Sequence, residues 1–286
     1  MFVKFERVGV VGAGVIGSGV AQLFAQTGHE VTLVDISQEQ LDRARRGVAK
    51  NLAMQAMLQK ERINAAEVVA RLHPTRDLDA LAGVDFVIEN VTEDWELKRG
   101  IHERLDAIIT ESVPIGANTS AIPITRIASA HRRPERVVGM HFMNPVPLMP
   151  MVEVIRGMHT SDDTMAAARA LVEQAGRQSI VVNDSPGFVT NRVMMLMVNE
   201  AMFLVQEGVS SVQEIDRLFK TCFGHKMGPL ETADLIGLDT VLRSIEVIQA
   251  ELAEDKYRPC PLLRRMVYAG MLGRKSGKGF YDYGAA

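Results

Sequence analysis

Short apolar runs alternate with stretches of helical periodicity over the first two thirds of the chain. The runs predict β-strands because they are brief and rich in branched side chains. They cover residues 8–11, 31–34, 71–75, 84–89, 114–120, 136–142, 151–155 and 179–182. Helical spacing fills most of the segments between them. This alternation predicts an α/β fold with a doubly wound, mostly parallel sheet.

Two capping-box sequences follow the second predicted strand. Ser37-Gln-Glu-Gln40 and Asn64-Ala-Ala-Glu67 each have the spacing of a helix N-terminus. The first predicts a helix to about residue 60, and the second a helix to about residue 72. A minimal fold of this class does not need this helix pair, so we interpret it as an insertion. A further helix is predicted over residues 94–109, with Trp95, Ile101, Leu105 and Ile108 on one face.

The pattern changes at the turn over residues 183–187. Beyond it, strand patterns largely vanish and the long segments have helical spacing. These segments cover residues 192–207, 212–219, 230–252 and 262–269. We therefore expect two domains, a sheet domain over residues 1–185 and an all-α C-terminal domain over residues 186–286.

The first strand ends in Gly12-Ala-Gly-Val-Ile-Gly17, the G-x-G-x-x-G pattern of Rossmann-type dinucleotide-binding folds. Gly12 permits a tight turn, Gly14 lets the backbone approach a pyrophosphate, and Gly17 lets the helix pack closely on the strand. Val15 and Ile16 lie inside the pattern, where the helix begins and free N–H groups face the anion. These five residues are candidate cofactor-binding residues.

An acidic residue ends the second strand, about twenty residues further on. The carboxylate of Asp35 would accept hydrogen bonds from an adenosine ribose and repel a 2′-phosphate. Strand, glycines, helix, strand and acid all come in the expected order. The sequence therefore predicts NAD, rather than NADP, as the cofactor of the first domain.

Composition narrows the possible classes of function. The chain has 286 residues, of which 47% are hydrophobic, and its net charge is −3. These values are ordinary for a globular protein and indicate neither a nucleic-acid-binding surface nor a membrane segment. Cys222 and Cys260 are too few for a disulfide framework or a metal cluster. We expect a cytoplasmic protein without a metal site.

Polar side chains gather at or near strand ends, where ligands of such sheets bind. They are Asn118, Ser120, His141, Asn144 and Glu153. Oxidation of an alcohol by hydride transfer needs a base for the hydroxyl proton, and histidine suits this because its pKa lies near neutrality. Glu153 is a candidate partner that fixes the tautomer of His141.

The remaining polar candidates concern the substrate oxygen and the cofactor. Ser120 and Asn191 are candidate hydrogen-bond donors to the substrate oxygen. Asn118 and Asn144 are candidate cofactor-binding residues, because Asn118 lies near the end of one predicted strand and Asn144 follows another, at the edge where the dinucleotide is expected.

Seven stretches, spread over nearly the whole chain, resemble the L-3-hydroxyacyl-CoA dehydrogenase family. They are residues 12–17 with Asp35, 118–120, 139–147, 152–155, 186–192, 227–230 and 273–281. The stretch around His141 is far more specific than the glycine pattern. The bacterial 3-hydroxybutyryl-CoA dehydrogenases are the most similar branch of the family.

The resemblance implies an NAD-dependent 3-hydroxyacyl-thioester dehydrogenase. It implies His141 as the catalytic base, Glu153 as its orienting carboxylate, and Ser120 and Asn191 as ligands of the substrate oxygen. It also implies that Glu93 and Lys98 lie near the nicotinamide end of the cofactor. The helical domain would form a homodimer and close over the substrate. Candidates for its core or interface are Met194, Met195, Leu196 and Met197.

The sequence departs from the family at positions that bear on the substrate carrier. Ser120 is followed by Ala121, where the family often has a second serine. Lys50 is a candidate substrate-binding residue, but Met54 stands one turn later, where CoA-using members often have another lysine. A substrate on an acyl carrier protein, as in polyketide extender-unit assembly, is therefore an alternative to a CoA thioester. Basic residues that would face CoA or an acidic carrier are Arg45, Arg46, Lys50, Lys60 and Arg62.

Two further classes of function compete with this interpretation. A non-catalytic NAD-binding sensor or structural protein would keep the fold, but it would not need Ser120, His141, Glu153 and Asn191 together. A sugar-acid or carnitine dehydrogenase would keep these residues and lose the thioester pocket. A substrate panel distinguishes the three.

Overall fold

A computed structural model describes residues 4–59 and 64–284 of the chain. Its internal contacts divide the chain into two units, Met1–Ser185 and Pro186–Ala286. The first unit contains a β-sheet flanked by helices, and the second is built from helices. Among the described residues, no helix is both long and apolar enough to cross a bilayer.

Eight strands form one sheet in the first unit. They are β1 (Arg7–Val11), β2 (Glu30–Val34), β3 (Leu72–Thr75), β4 (Phe86–Glu89), β5 (Ile115–Ala117), β6 (Val137–Phe142), β7 (Met151–Arg156) and β8 (Gln178–Asn183). Their order is β3-β2-β1-β4-β5-β6-β7-β8, and only the β6–β7 pair is antiparallel. The prediction of a mostly parallel, doubly wound Rossmann-type sheet is confirmed.

The strand order reverses between β1 and β4. From β1 the chain proceeds outward through β2 and β3, and it then returns to the other side of β1 with β4. Ligands of doubly wound sheets bind beyond the carboxyl ends of the strands at such a switch point. The topology therefore places the expected ligand site beside the ends of β1 and β4.

Six helices accompany the sheet. They are α1 (Val15–Gln26), α2 (Gln38–Gln59), α3 (Ala65–Ala70), α4 (Trp95–Ile108), α5 (Ile124–Ala128) and α6 (Asp162–Gln174). The inserted helix pair is present as α2 and α3. Both of its capping bonds form, since Ser37 Oγ accepts from the N–H of Gln40 and Asn64 Oδ1 accepts from the N–H of Glu67. These side chains satisfy backbone donors that have no partner inside the helix.

The core of the first unit lies between the sheet and its helices. From α1, Val20, Leu23 and Phe24 are buried against strand residues such as Val8 and Val10. Each such side chain stabilises the fold by roughly 1.5–3 kcal/mol through burial of apolar surface. This packing fixes the start of α1 against the end of β1, where the glycine pattern lies.

Over residues 186–284, the helical unit contains five α-helices where the sequence predicts four helices. They are α7 (Thr190–Gln206), α8 (Val212–Cys222), α9 (Pro229–Ile236), α10 (Leu238–Leu252) and α11 (Pro261–Tyr268). The prediction of one helix over residues 230–252 was wrong. Gly237, at φ +100°, separates α9 from α10, and a right-handed helix cannot continue through that conformation. The apolar spacing runs through this glycine, so periodicity alone did not reveal the break.

Candidate active site

The glycine pattern forms a tight turn from β1 into α1. Gly12 has φ +93°, and a Cβ there would lie 2.8 Å from the backbone oxygen of Asn90. A Cβ on Gly17 would lie 1.8 Å from the backbone oxygen of Gly12, so the helix approaches the strand closely. By contrast, a Cβ built on Gly14 would have no protein atom within 4 Å other than those of the adjoining backbone. This open space stands at the N-terminus of α1, which suits a pyrophosphate.

Asp35 lies beside this turn. Its carboxylate accepts hydrogen bonds from the backbone N–H of Ala13 at 2.8 Å and of Ser37 at 2.9 Å. It lines a pocket of about 380 Å³ together with Gly12, Gly14 and Asn90. A carboxylate has about four acceptor sites, so the two backbone bonds leave capacity for ribose hydroxyls. These groups fit the adenosine half of NAD.

Asn144, Val15 and Ile16 lie around the glycine turn. Asn144 and Val15 line a second pocket, of about 370 Å³, together with Gly14 and residues of α1 and α2. Asn144 is exposed, and Val15 is 73% exposed. Ile16 is half-buried and packs against the core. The structure thus places Val15 at the ligand side of the turn, whereas Ile16 contributes to packing.

The antiparallel pairing of β6 and β7 places His141 directly opposite Glu153. Nδ1 of His141 lies 2.9 Å from Glu153 Oε2, and Nε2 lies 3.4 Å from Ser120 Oγ. Both the imidazole and the carboxylate are only 5% exposed. Because a carboxylate only accepts hydrogen bonds, we assign the proton to Nδ1, which leaves the lone pair of Nε2 facing the serine. A general base needs this arrangement.

The loop that follows β5 carries Ser120, and Glu93 holds this loop. The Glu93 carboxylate accepts from the backbone N–H groups of Ser120, Ala121 and Ile122, at 3.0 to 3.2 Å, and from the hydroxyl of Thr119. The predicted strand over residues 114–120 therefore ends earlier, at Ala117. The prediction was wrong there because Glu93 replaces the sheet as the partner of this backbone.

Asn118 links the cofactor side of the site to the histidine. Its Oδ1 accepts from the backbone N–H of Phe142, which follows His141, at 3.2 Å. Its Nδ2 donates to Oδ1 of Asn90 at 2.9 Å, and Asn90 lines the cofactor pocket. The ends of β4, β5 and β6 are thus tied together by one amide side chain.

Lys98 lies behind the loop that contains Asn118. Its ammonium donates to both carboxylate oxygens of Glu89 at 2.9 Å and to the backbone oxygen of Asn118 at 3.0 Å. The side chain is completely buried. From this position, Lys98 would act on the cofactor indirectly, through its hydrogen bond to the backbone of Asn118. The position of Lys98 near the nicotinamide end of the cofactor, which the family resemblance implies, stays a prediction.

The buried side of α4 contains polar residues that the apolar pattern did not indicate. Its buried residues are Lys98, His102, Leu105 and Asp106. Of the predicted apolar face, Ile101 and Ile108 are partly buried and pack with Leu105 against the core, and Trp95 is partly buried. Sequence reasoning therefore missed Glu89, His102 and His131, which form a buried polar group with Lys98. A lysine, a histidine and an aspartate at positions 98, 102 and 106 share one helical face, and this spacing was the available signal.

The candidates for substrate-carrier recognition lie on α2, and Asn191 lies in the helical unit. Lys50 is exposed, and Met54 is 53% exposed one turn later. Arg45 and Arg46 are exposed on the same helix. Lys60 and Arg62 lie outside the described residues. Asn191 follows Thr190, the first residue of α7, and is half-buried.

Family models match nearly the whole chain. The NAD-binding domain of 3-hydroxyacyl-CoA dehydrogenase matches residues 7–185, and the C-terminal domain of the same family matches residues 187–283. The fold and the site define an NAD-dependent oxidoreductase. The chain belongs to the 3-hydroxyacyl-CoA dehydrogenase family.

Individual relatives are similar over their full length. The probable 3-hydroxybutyryl-CoA dehydrogenase of Deinococcus radiodurans is 47% identical, over 97% of this chain and 100% of that protein. The probable 3-hydroxybutyryl-CoA dehydrogenase of Bacillus subtilis is 44% identical, over 98% of each. The crystal structure of (S)-3-hydroxybutyryl-CoA dehydrogenase from Ralstonia eutropha has a TM-score of 0.91 at 45% identity, covering 98% of this chain and 100% of that one.

Proposed function

We propose that the protein interconverts 3-hydroxyacyl-CoA and 3-oxoacyl-CoA thioesters with NAD, and that a short acyl group such as 3-hydroxybutyryl is its substrate. The observation that carries this proposal is the Ser120–His141–Glu153 group at the same sheet edge as the glycine turn. The names of the relatives support the CoA thioester and the short acyl group.

Each side chain of the site has a task that follows from its geometry. Nε2 of His141 takes the proton of the substrate 3-hydroxyl during oxidation and returns it during reduction. Glu153 keeps Nδ1 protonated and stabilises the imidazolium that forms. The hydroxyl of Ser120 orients the substrate oxygen beside Nε2, and we assign a second donor role to Asn191. Bound NAD supplies the carbon that accepts the hydride.

The residues around the glycine turn fit the cofactor. The N–H groups at the start of α1 have no side-chain cap, so they are available to the pyrophosphate. Asp35 favours NAD because its charge repels a 2′-phosphate. We assign Glu93 and Asn118 to the nicotinamide half, since they follow β4 and β5, which lie between β1 and β6 in the sheet. We assign Asn144 to the cofactor because it lines a pocket with Gly14 and Val15.

A CoA thioester is favoured over a carrier-protein substrate. The argument for a carrier protein is that Met54, which is exposed, leaves one turn of α2 without a positive charge. One exposed charge is worth only about 1 kcal/mol or less, so this argument is weak. The relatives from Deinococcus radiodurans, Bacillus subtilis and Ralstonia eutropha are all named for CoA thioesters, which supports the CoA substrate.

We also propose that the protein forms a homodimer through its helical unit and works in the cytoplasm. Exposed apolar side chains on α7 and α8 support an interface, since Val193 and Leu218 are 65% and 54% exposed and Phe223, just after α8, is 70% exposed. Of the methionine-rich stretch, Met195 is buried in the unit, whereas Met194 and Met197 are not fully buried. The free thiols of Cys222 and Cys260 suit a reducing compartment.

The direct test is reduction of acetoacetyl-CoA by NADH, followed by the loss of NADH absorbance. We expect turnover with acetoacetyl-CoA, none with free acetoacetate, and a strong loss for His141→Gln. A protein that binds NADH but turns over neither thioester nor free acid would be the non-catalytic alternative. Turnover of the free acid alone would instead indicate a hydroxy-acid dehydrogenase.

A further inference from the structure

A row of buried polar side chains lies behind the loops that follow β4 and β5. It runs from the end of β4, along α4, to the segment after α5. Its members are Glu89, Lys98, His102, Asp106, His131 and Arg136, each at most 7% exposed. Burial of so many ionisable groups is costly unless they are paired. The row is therefore tolerated in the fold only because its members bond to one another.

Glu89 connects the two loops. Its carboxylate accepts from the backbone N–H of Val91, in the loop that lines the cofactor pocket. Lys98 donates to both carboxylate oxygens and also to the backbone oxygen of Asn118, in the loop after β5. Nε2 of His102 lies 3.0 Å from Oε2 of the same carboxylate. The position of this carboxylate therefore sets the position of both loops.

The proton positions follow from the charge of Glu89. Burial alone would raise the pKa of Glu89, but the Lys98 ammonium and the hydrogen bond from His102 hold that pKa below its usual range. The ionised carboxylate only accepts, so Nε2 of His102 carries a proton. Nδ1 of His102 lies 2.7 Å from Nε2 of His131. We assign the proton between these two nitrogens to Nε2 of His131, so Nδ1 of His102 accepts the hydrogen bond.

The far side of His131 faces Asp106. Its Nδ1 lies 3.4 Å from Asp106 Oδ1 and has no closer hydrogen-bond partner among the described residues. Arg132 and Arg136 bond to Asp106 at 2.6 and 2.7 Å and neutralise its charge. Burial and the positive charge of Arg136 lower the pKa of His131 to about 3, against the opposing effect of Asp106.

We propose that His102 is a positioning residue for the active site: held in its Nε2–H tautomer by His131, it orients Glu89 and thereby the loops after β4 and β5. The imidazole of His102 is completely buried, so it acts through Glu89 and does not touch the substrate or cofactor. The inference rests on the proposed dehydrogenase function for its biological meaning. Its readout, the affinity for NADH, is independent of thioester turnover.

The experiment compares two substitutions of His102 in the full-length protein. Phenylalanine removes the Nε2 donor and keeps an aromatic ring, whereas glutamine keeps a donor at a similar distance from the backbone. His159→Phe, at an exposed histidine of the same unit, is the matched control. The dissociation constant for NADH is measured by fluorescence titration, and circular dichroism verifies the fold of each variant.

We expect His102→Phe to weaken NADH binding about tenfold, the size of a lost hydrogen bond to a charged group. His102→Gln is expected to stay within about threefold of the unmodified protein, because it keeps that bond. The control should bind NADH unchanged. Folded His102→Phe with unchanged NADH affinity would overturn the proposal. Equal weakening in both variants would also overturn it, because a retained donor to Glu89 would then give no advantage.

A second pair of variants covers the case in which His102→Phe does not fold. His131→Gln keeps a donor toward Nδ1 of His102, whereas His131→Phe removes it. We expect the phenylalanine variant to bind NADH a few-fold more weakly than the glutamine variant, and equal affinities would contradict the proposal. The protein could fail to turn over thioesters while the variants still differ in NADH affinity as expected. That result would refute the proposed function but would support the positioning role of His102.

Discussion

Two carboxylate–imidazole pairs in the first unit have nearly the same geometry. Glu153 Oε2 lies 2.9 Å from Nδ1 of His141, and Glu89 Oε2 lies 3.0 Å from Nε2 of His102. Both imidazoles are buried. The distance between the partners therefore does not distinguish the pair that we propose as catalytic from the pair that we propose as structural.

The second nitrogen of each ring makes the distinction. In His141 it is Nε2, which faces the hydroxyl of Ser120 at the sheet edge where ligands bind. In His102 it is Nδ1, which faces a second buried imidazole, that of His131. A carboxylate fixes the tautomer in both cases. An imidazole can act as a base for the substrate only where its remaining lone pair can reach a bound substrate.

The largest difference between the two histidines should appear in turnover. We expect His141→Gln to lower kcat by about 10²- to 10⁴-fold, because the variant has no base for the hydroxyl proton. Its affinity for NADH should hardly change. His102→Gln, by contrast, should keep kcat within a few-fold. Steady-state assays with acetoacetyl-CoA measure both, and comparable losses in the two variants would contradict the distinction.

The two carboxylates should differ in what their removal damages. Glu153→Gln should lower kcat by about a hundredfold through a misoriented imidazole, with stability nearly unchanged. Glu89→Gln should lower the free energy of unfolding by about 3–5 kcal/mol, because the buried ammonium of Lys98 loses its counter-charge. Denaturant titration and turnover, measured on both variants, test this. A Glu153→Gln variant as unstable as Glu89→Gln would show that both pairs are structural.

The buried pair should also make the protein sensitive to acid. His131 has a pKa of about 3 in the folded chain, whereas an unfolded histidine titrates near 6.5. The unfolded state therefore binds more protons as the pH falls below 6.5, and stability falls with it. From neutral pH to about pH 4 this amounts to ~3 kcal/mol.

Removal of the buried imidazole should flatten that dependence. Denaturant unfolding of His131→Gln over the same pH range should show a smaller decrease in stability, by the amount attributed to His131. His159→Gln, at an exposed histidine, should retain the full decrease. If the free energy of unfolding falls equally with pH in His131→Gln and in the unmodified protein, this histidine is not kept neutral in the fold.

The third carboxylate to test is that of Asp35, which bonds to backbone N–H groups and not to an imidazole. We expect its charge to determine the choice between NADH and NADPH. Asp35→Ala should narrow the preference for NADH over NADPH by about tenfold, because the repulsion of a 2′-phosphate disappears. Asp35→Asn separates charge from shape, since it keeps an acceptor for the backbone N–H groups of Ala13 and Ser37. Equal use of both cofactors by the unmodified protein would refute this role.

The contrast between the pairs also explains what could be predicted from sequence. The glycine turn, Asp35 and His141 lie at strand ends, and strand ends are visible as the limits of apolar runs. The pairing of His141 with Glu153 depends on the antiparallel register of β6 and β7, which the short connection between them allows. The family resemblance added the roles.

The Glu89–His102–His131 group could not be found in the same way. His102 and His131 are 29 positions apart and meet through the packing of α4 against the segment after α5. Apolar periodicity assigned α4 an apolar buried face, because a lysine and a histidine count as polar in any pattern. Their burial depends on hydrogen bonds to Glu89, and a one-dimensional pattern contains no such information.

The tautomers of the histidines test the division into a catalytic and a structural pair most directly. Long-range proton–nitrogen NMR spectra in mildly alkaline buffer distinguish Nδ1–H from Nε2–H imidazoles, and single substitutions assign the signals of the seven histidines. We expect the Nδ1–H form for His141 and the Nε2–H form for His102 and His131. The Nε2–H form for His141 would place a proton where the substrate proton has to go, and it would contradict the assignment of this residue as the catalytic base.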